Sequence, residues 1–162
     1  MPNPTPISGV RVEQGNDNGK SIPVGSTDVL YTENLVTCVA ILLVTDTHCF
    51  MIHSDSNEAN GKGLTSLEQG IRNLGLDKDD ICQVGLMGGE SEQALLQKKN
   101  FLLKLLPKAH ITAMIPMVDS AYLLGDGLMR TSKRSLLQIF NADSIVIIDR
   151  EGIPTPRRRL RR

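Results

Sequence analysis

The chain has 162 residues, 40% hydrophobic and 22% charged, the size and balance of one globular domain, which excludes a disordered, collagen-like or disulfide-scaffold protein. Eighteen basic residues balance eighteen acidic ones, but Arg157, Arg158, Arg159, Arg161 and Arg162 occupy a tail without acids, so 13 basic residues face 18 acids elsewhere and the body is net −5. An acidic body with 3% aromatics and no Trp argues against nucleic-acid binding, which needs a basic docking face or stacking platforms.

Residues 1–24 hold Pro2, Pro4, Pro6 and Pro23 with the polar stretch GNDNGKS, and predict an extended, partly mobile arm. One domain follows over residues 25–153. Residues 35–44 (LVTCVAILLV) are rich in β-branched residues and too short for a core helix, the pattern of a buried strand. A turn at Thr45-Asp46-Thr47 leads to a return strand over residues 48–53 (HCFMIH), making a hairpin, and SDSNEANGKG closes it as a polar loop. Leu64, Leu67, Ile71 and Leu74 recur at helical spacing, with Thr65 and Glu68 as a capping box and Gly75 as the C-terminal stop. Residues 81–87 read as a strand ending in Gly88-Gly89, and residues 92–106 as a second amphipathic helix stopped by Pro107. Alternation in HITAMIPM predicts a strand, residues 132–140 a helix, and residues 144–148 (SIVII) a last strand before the basic tail, 154–162. The expected architecture is an α/β (α+β) sandwich, a mixed β-sheet built on the hairpin and flanked by two to three helices.

No stretch approaches the roughly 20 apolar residues of a bilayer span, and MPNPTPIS lacks the parts of a secretory signal. The expectation is a cytoplasmic, non-membrane protein whose Cys38, Cys49 and Cys82 are thiols, with signal-free secretion as an effector the other route. The run Gly85-Leu86-Met87-Gly88-Gly89 matches neither dinucleotide nor P-loop patterns and reads as a tight turn more readily than as a phosphate nest.

Cys38 and His53 are the residues with chemistry in them. Opposed residues in a hairpin sum to a constant, and a loop of Thr45-Asp46, or of residues 44–47, sets Cys38 opposite His53. A three-residue loop, 45–47, instead puts Ser54 opposite Cys38. A thiol beside an imidazole can lose its proton and become a nucleophile, with the imidazole returning that proton to a leaving group. The plain alternative is an inert, buried strand cysteine. Cys38, Cys49 and His53 do not make a zinc site, because Cys49 and His53 lie about 13 Å apart along a strand. His48 sits near the turn, and the sequence does not locate His110.

The stretch TENLVTCVAI (residues 32–41), a histidine on the return strand, SDS, a capped helix and a strand ending in Met87-Gly88-Gly89 resemble the chemoreceptor glutamine deamidase family, CheD, over residues 25–118. Bacterial toxin deamidases with a Cys-His pair share that fold. The family motif T-x-G-x-G-S-C-V is met by Thr32 and Cys38, while Asn34, Val36 and Thr37 stand where it has Gly, Gly and Ser. His53 follows Met51-Ile52, where the family's histidine precedes such residues.

The resemblance implies a thiol-dependent amidohydrolase that converts protein glutamine to glutamate without a cofactor. It makes Cys38 the nucleophile, His53 the acid-base and Thr32 its orienting partner; Gly88 and Gly89 match the family's glycine pair. Backbone N–H groups at Thr37 and Cys38 then bind the oxyanion. The expected partner is a glutamine-bearing protein such as a chemoreceptor, with the arginine tail available to an acidic partner, a membrane surface or nucleic acid, or as an import signal. The alternative is a deamidase-like fold that binds protein without catalysis.

Overall fold

The computed structural model describes residues 9–55, 61–133, 145–148 and 154–155. They form an α+β sandwich of two sheets and two helices. Strands β1 (Gly9–Arg11), β2 (Gly15–Pro23), β3 (Val29–Glu33), β4 (Val39–Val44) and β5 (His48–Ser54) come first. Helix α1 (Gly61–Asn73), strand β6 (Cys82–Gly88) and helix α2 (Glu92–Leu105) follow. Strands β7 (Ala109–Ile115), β8 (Val118–Leu124), β9 (Met129–Lys133), β10 (Ile145–Ile148) and β11 (Pro154–Thr155) complete the described chain. One sheet has the order β2-β5-β4-β6-β7 and is mixed, since β6 and β7 run parallel and the other pairs antiparallel. The other has the order β1-β3-β8-β9-β10-β11.

Strand β4 explains the layering. Its sequence VAILLV is apolar at every position because the strand is central and covered on both faces. Val39, Ile41 and Leu43 pack with Leu67 and Ile71 of α1 and Leu95 and Leu102 of α2. Ala40 and Leu42 face the other way, into a core shared with Leu30, Ala121, Leu123 and Met129 of the six-stranded sheet. The layers therefore run sheet, sheet, helices, each held by apolar side chains worth about 1.5–3 kcal/mol apiece when fully buried.

The hairpin sheet and both helices match the expected mixed sheet; the second sheet was not expected. Its strands β3, β8 and β9 lie in stretches the sequence pattern did not mark as strands. Residues 9–11 and 15–23, expected in a mobile arm, are paired: β1 lies parallel to β3, and β2 lies antiparallel to β5. Strand β2 tolerates Pro23 and its polar residues because it is an edge strand whose register slips between Gly15 and Lys20.

Helix α1 ends as expected. Gly75 has φ +83, its N–H reaches the Arg72 carbonyl, and the Leu76 N–H reaches that of Ile71, the paired bonds of a Schellman cap. Its start differs: the helix already runs from Gly61, so Thr65 lies inside it and Glu68 meets Arg72 one turn on at 3.4 Å. Helix α2 is capped by Ser91, whose hydroxyl accepts from the Ala94 N–H at 3.3 Å. Ser132 and Lys133, assigned above to a helix, belong to β9, and the rest of that predicted helix lies outside the described residues. Pro154 and Thr155 of the tail pair with Ile148 and Ile147, while the five tail arginines lie outside the described residues. Among the described residues no helix is long and apolar enough to cross a membrane.

Candidate active site

The hairpin register differs from both registers weighed above. Thr45 and His48 close a two-residue turn at Asp46-Thr47, with the Thr45 N–H donating to the His48 carbonyl at 2.9 Å. The Thr45 hydroxyl fixes that centring by accepting from the N–H groups of Thr47 at 3.3 Å and His48 at 3.1 Å. In consequence His53 lies opposite Ala40, not Cys38. Cys38 precedes Ala40 by two residues, so it occupies the diagonal position on the same face, a separation that a long or aromatic side chain spans.

Cys38 also lies just before β4 rather than within it. The connection from β3 in one sheet to β4 in the other is residues 34–38. Asn34 takes φ +63, the left-handed turn that asparagine tolerates, and Val36 is not among the positive-φ residues. Leu35 anchors the connection by burying its side chain between the sheets and donating its N–H to the Asp119 carbonyl. Val36 and Thr37 then form an exposed bend, and Cys38, 6% exposed, follows at its base.

The glycine pair holds this base in place. The Gly89 N–H donates to the Cys38 carbonyl at 2.8 Å. Gly88 and Gly89 have φ +107 and +77, and a Cβ on Gly88 would sit 2.6 Å from the Cys38 carbonyl oxygen. Both glycines thus serve backbone contact with Cys38. The Met117 N–H continues the chain of bonds by donating to the Gly89 carbonyl, so Met117 (59% exposed) and Val36 (48% exposed) present apolar side chains on the two segments bonded to or leading into Cys38.

His53 is 3% exposed and meets Thr32 of the facing sheet, with Nδ1 and Oγ1 2.7 Å apart. The Thr32 hydroxyl also donates to the Val12 carbonyl at 2.8 Å. A carbonyl only accepts, so the single hydroxyl proton is committed there and Thr32 must accept from Nδ1–H. The imidazole is thereby the Nδ1–H tautomer, with its lone pair on Nε2. Nε2 is buried and has no hydrogen-bond partner among the described residues; no hydrogen bond joins it to Cys38. Burial pushes the His53 pKa below its ordinary 6.5, with Asp55 opposing, Arg11 assisting and Glu13 opposing that shift, so the ring is a neutral base at pH 7.

The other cysteines have different settings. Burial, with Asp80 adding to it, pushes the Cys82 thiol up to about 11, and the Cys49 thiol donates to the carbonyls of Leu124 and Gly125. His48 is exposed at the turn and bonded to the Thr47 hydroxyl, and His110 is exposed on β7. No three of His, Cys, Asp and Glu converge on a metal position among the described residues.

One residue escaped the sequence reading. Lys98 of α2 is 5% exposed, and its Nζ donates to the Ser54 hydroxyl at 2.7 Å and the Asp55 carbonyl at 2.8 Å. The available signal was a lysine at a core position of an amphipathic helix, between Leu95 and Leu102. Comparison with protein-family models and with curated proteins finds no match.

Proposed function

We propose that the protein is a thiol-dependent amidohydrolase that deamidates glutamine side chains of a protein partner. The observation that carries this reading is the state of His53: a buried, neutral imidazole whose Nδ1 is held by Thr32, whose Nε2 is unpartnered, and which lies opposite Ala40 on the sheet face that Cys38 shares. An orphaned buried nitrogen costs about 1–3 kcal/mol, a cost that a resting acceptor for a thiol proton explains. The likeness of residues 32–41 to chemoreceptor glutamine deamidases supports the same chemistry, and the exposed Val36 and Met117 flanking a recessed thiol suit a protein surface.

In this mechanism Cys38 Sγ attacks the carboxamide carbon as its proton passes to His53 Nε2. N–H groups at Thr37 and Cys38 bind the oxyanion. The C–N bond then breaks, His53 returns the proton to the nitrogen, and ammonia departs to leave a thioester. Water loses a proton to Nε2 and attacks the thioester, giving glutamate and the free thiol. Thr32 keeps the ring in the required tautomer throughout, as the third member of a catalytic triad does.

The test is iodoacetamide labelling at pH 7 combined with ammonia release from glutamine-bearing protein substrates. Cys38 is expected to label faster than Cys49 and Cys82, and His53→Ala to slow turnover by about 10²–10⁴, the usual contribution of a general base. Equal labelling of the three thiols in the folded protein removes the enzyme reading in favour of a non-catalytic binding module.

A further inference from the structure

We infer that Lys98 is a positioning residue for His53, acting through the backbone from the opposite face of the sheet. This rests on the deamidase reading and assigns it a residue outside the Cys-His-Thr set.

Successive residues of a strand project to opposite faces. In β5, His53 points between the two sheets to Thr32, while Ser54 points to the helix layer, where the Lys98 Nζ takes its hydroxyl. A slip of β5 by one residue would exchange those faces and carry His53 away from Thr32 and Cys38. Lys98 opposes that slip with two bonds at consecutive positions, one to the Ser54 side chain and one to the Asp55 carbonyl. On one side β4 holds the end of β5 in register, with Ala40 opposite His53 and Val39 opposite Ser54. On the other β2 is irregular, Gly15 pairing with His53 and the register regained only at Lys20 opposite Met51, so the Lys98 bonds add hold where β2 gives less.

The same tie holds the Asp55 backbone, and with it the placement of the Asp55 carboxylate. Its carboxylate accepts from Gln14 Nε2 at 2.6 Å and lies close enough to His53 to favour the protonated ring. The other charged groups acting on His53 are Arg11 of β1 and Glu13 beyond it. Arg11 is paired with Glu13 at 3.2 Å and with Glu33 at 3.9 Å. A freed Asp55 therefore leaves burial and Arg11 less opposed, making His53 a weaker base for the Cys38 proton.

The experiment measures the pH profile of Cys38 alkylation by iodoacetamide in the full chain, with thermal melting recorded alongside. The midpoint of such a profile belongs to the Cys38–His53 pair. In Lys98→Met it is expected to rise by about one unit, which lowers the rate about tenfold at pH values below the wild-type midpoint. Ser54→Ala, a smaller change, is expected to shift the midpoint in the same direction by less, and it carries the decision if Lys98→Met does not fold. Melting temperatures that fall while both midpoints stay at the wild-type value overturn the inference and leave Lys98 a structural tie. A wild-type midpoint at the ordinary thiol value of about 8.5 overturns the deamidase reading, and the inference with it.

Discussion

The single hydroxyl proton of Thr32 determines which nitrogen of His53 can act as a base. Thr32→Val keeps the shape and removes that control, leaving the Val12 carbonyl and His53 Nδ1 without the bonds seen at 2.8 and 2.7 Å. Destabilisation of about 1–3 kcal/mol is expected from the unsatisfied groups, together with a loss of Cys38 reactivity. Thr32→Ser retains both bonds and should restore both properties, as urea denaturation and labelling rates will show. His53 also sets a pH dependence of stability. Its folded pKa lies below the ordinary 6.5 because burial penalises the charged ring, so the unfolded chain binds more protons in the window just below 6.5. Its contribution is complete above that value and is lost as pH falls toward the depressed folded pKa. Melting temperature is therefore expected to drop as pH falls below about 6.5, with a shallower drop in His53→Gln.

Strand ends and turns set the geometry that side chains then exploit. Gly88 is the tightest case: a Cβ there meets the Cys38 carbonyl at 2.6 Å and the Leu35 side chain at 2.9 Å, on a backbone at φ +107. Gly88→Ala should cost about 2–4 kcal/mol through strain and overlap, and should slow Cys38 alkylation in whatever fraction stays folded; a chemical melt and a labelling time course read the two effects. Local signals of this kind were legible in the sequence. Gly75 as a helix stop, α2 between Ser91 and Pro107, and the apolar run of β4 each depend on residues a few positions apart. The hairpin register was not legible, because Thr45, Asp46 and Thr47 are all turn residues and only the bonds of the Thr45 hydroxyl choose the centre. Strand β2 was misread because an edge strand with a register slip carries GNDNGK without alternation. Lys98 was missed because one charged residue barely disturbs an amphipathic pattern, although burial makes it informative.

At the scale of the whole molecule, the arginine tail is expected to be separable from the acidic body. Beyond the short pairing of Pro154 and Thr155 with β10, the five arginines follow a proline and contribute all of the positive charge that offsets the net −5 of the body. Deleting residues 157–162 is expected to leave the melting temperature and Cys38 reactivity unchanged, and to weaken binding to an acidic partner in a salt-dependent way, since such attraction is screened beyond about 8 Å at physiological ionic strength. A fall of many degrees in melting temperature would instead make the tail part of the packed fold. The candidate triad also divides between the layers: His53 belongs to the five-stranded sheet, Cys38 leads into it, and Thr32 belongs to the six-stranded sheet. In the proposed mechanism neither sheet alone holds all three residues. Cys38 reactivity is consequently a gauge of sheet-to-sheet docking: an acid-expanded state that kept its strands but lost its side-chain packing would retain its far-ultraviolet circular dichroism while its thiol reverted to ordinary behaviour.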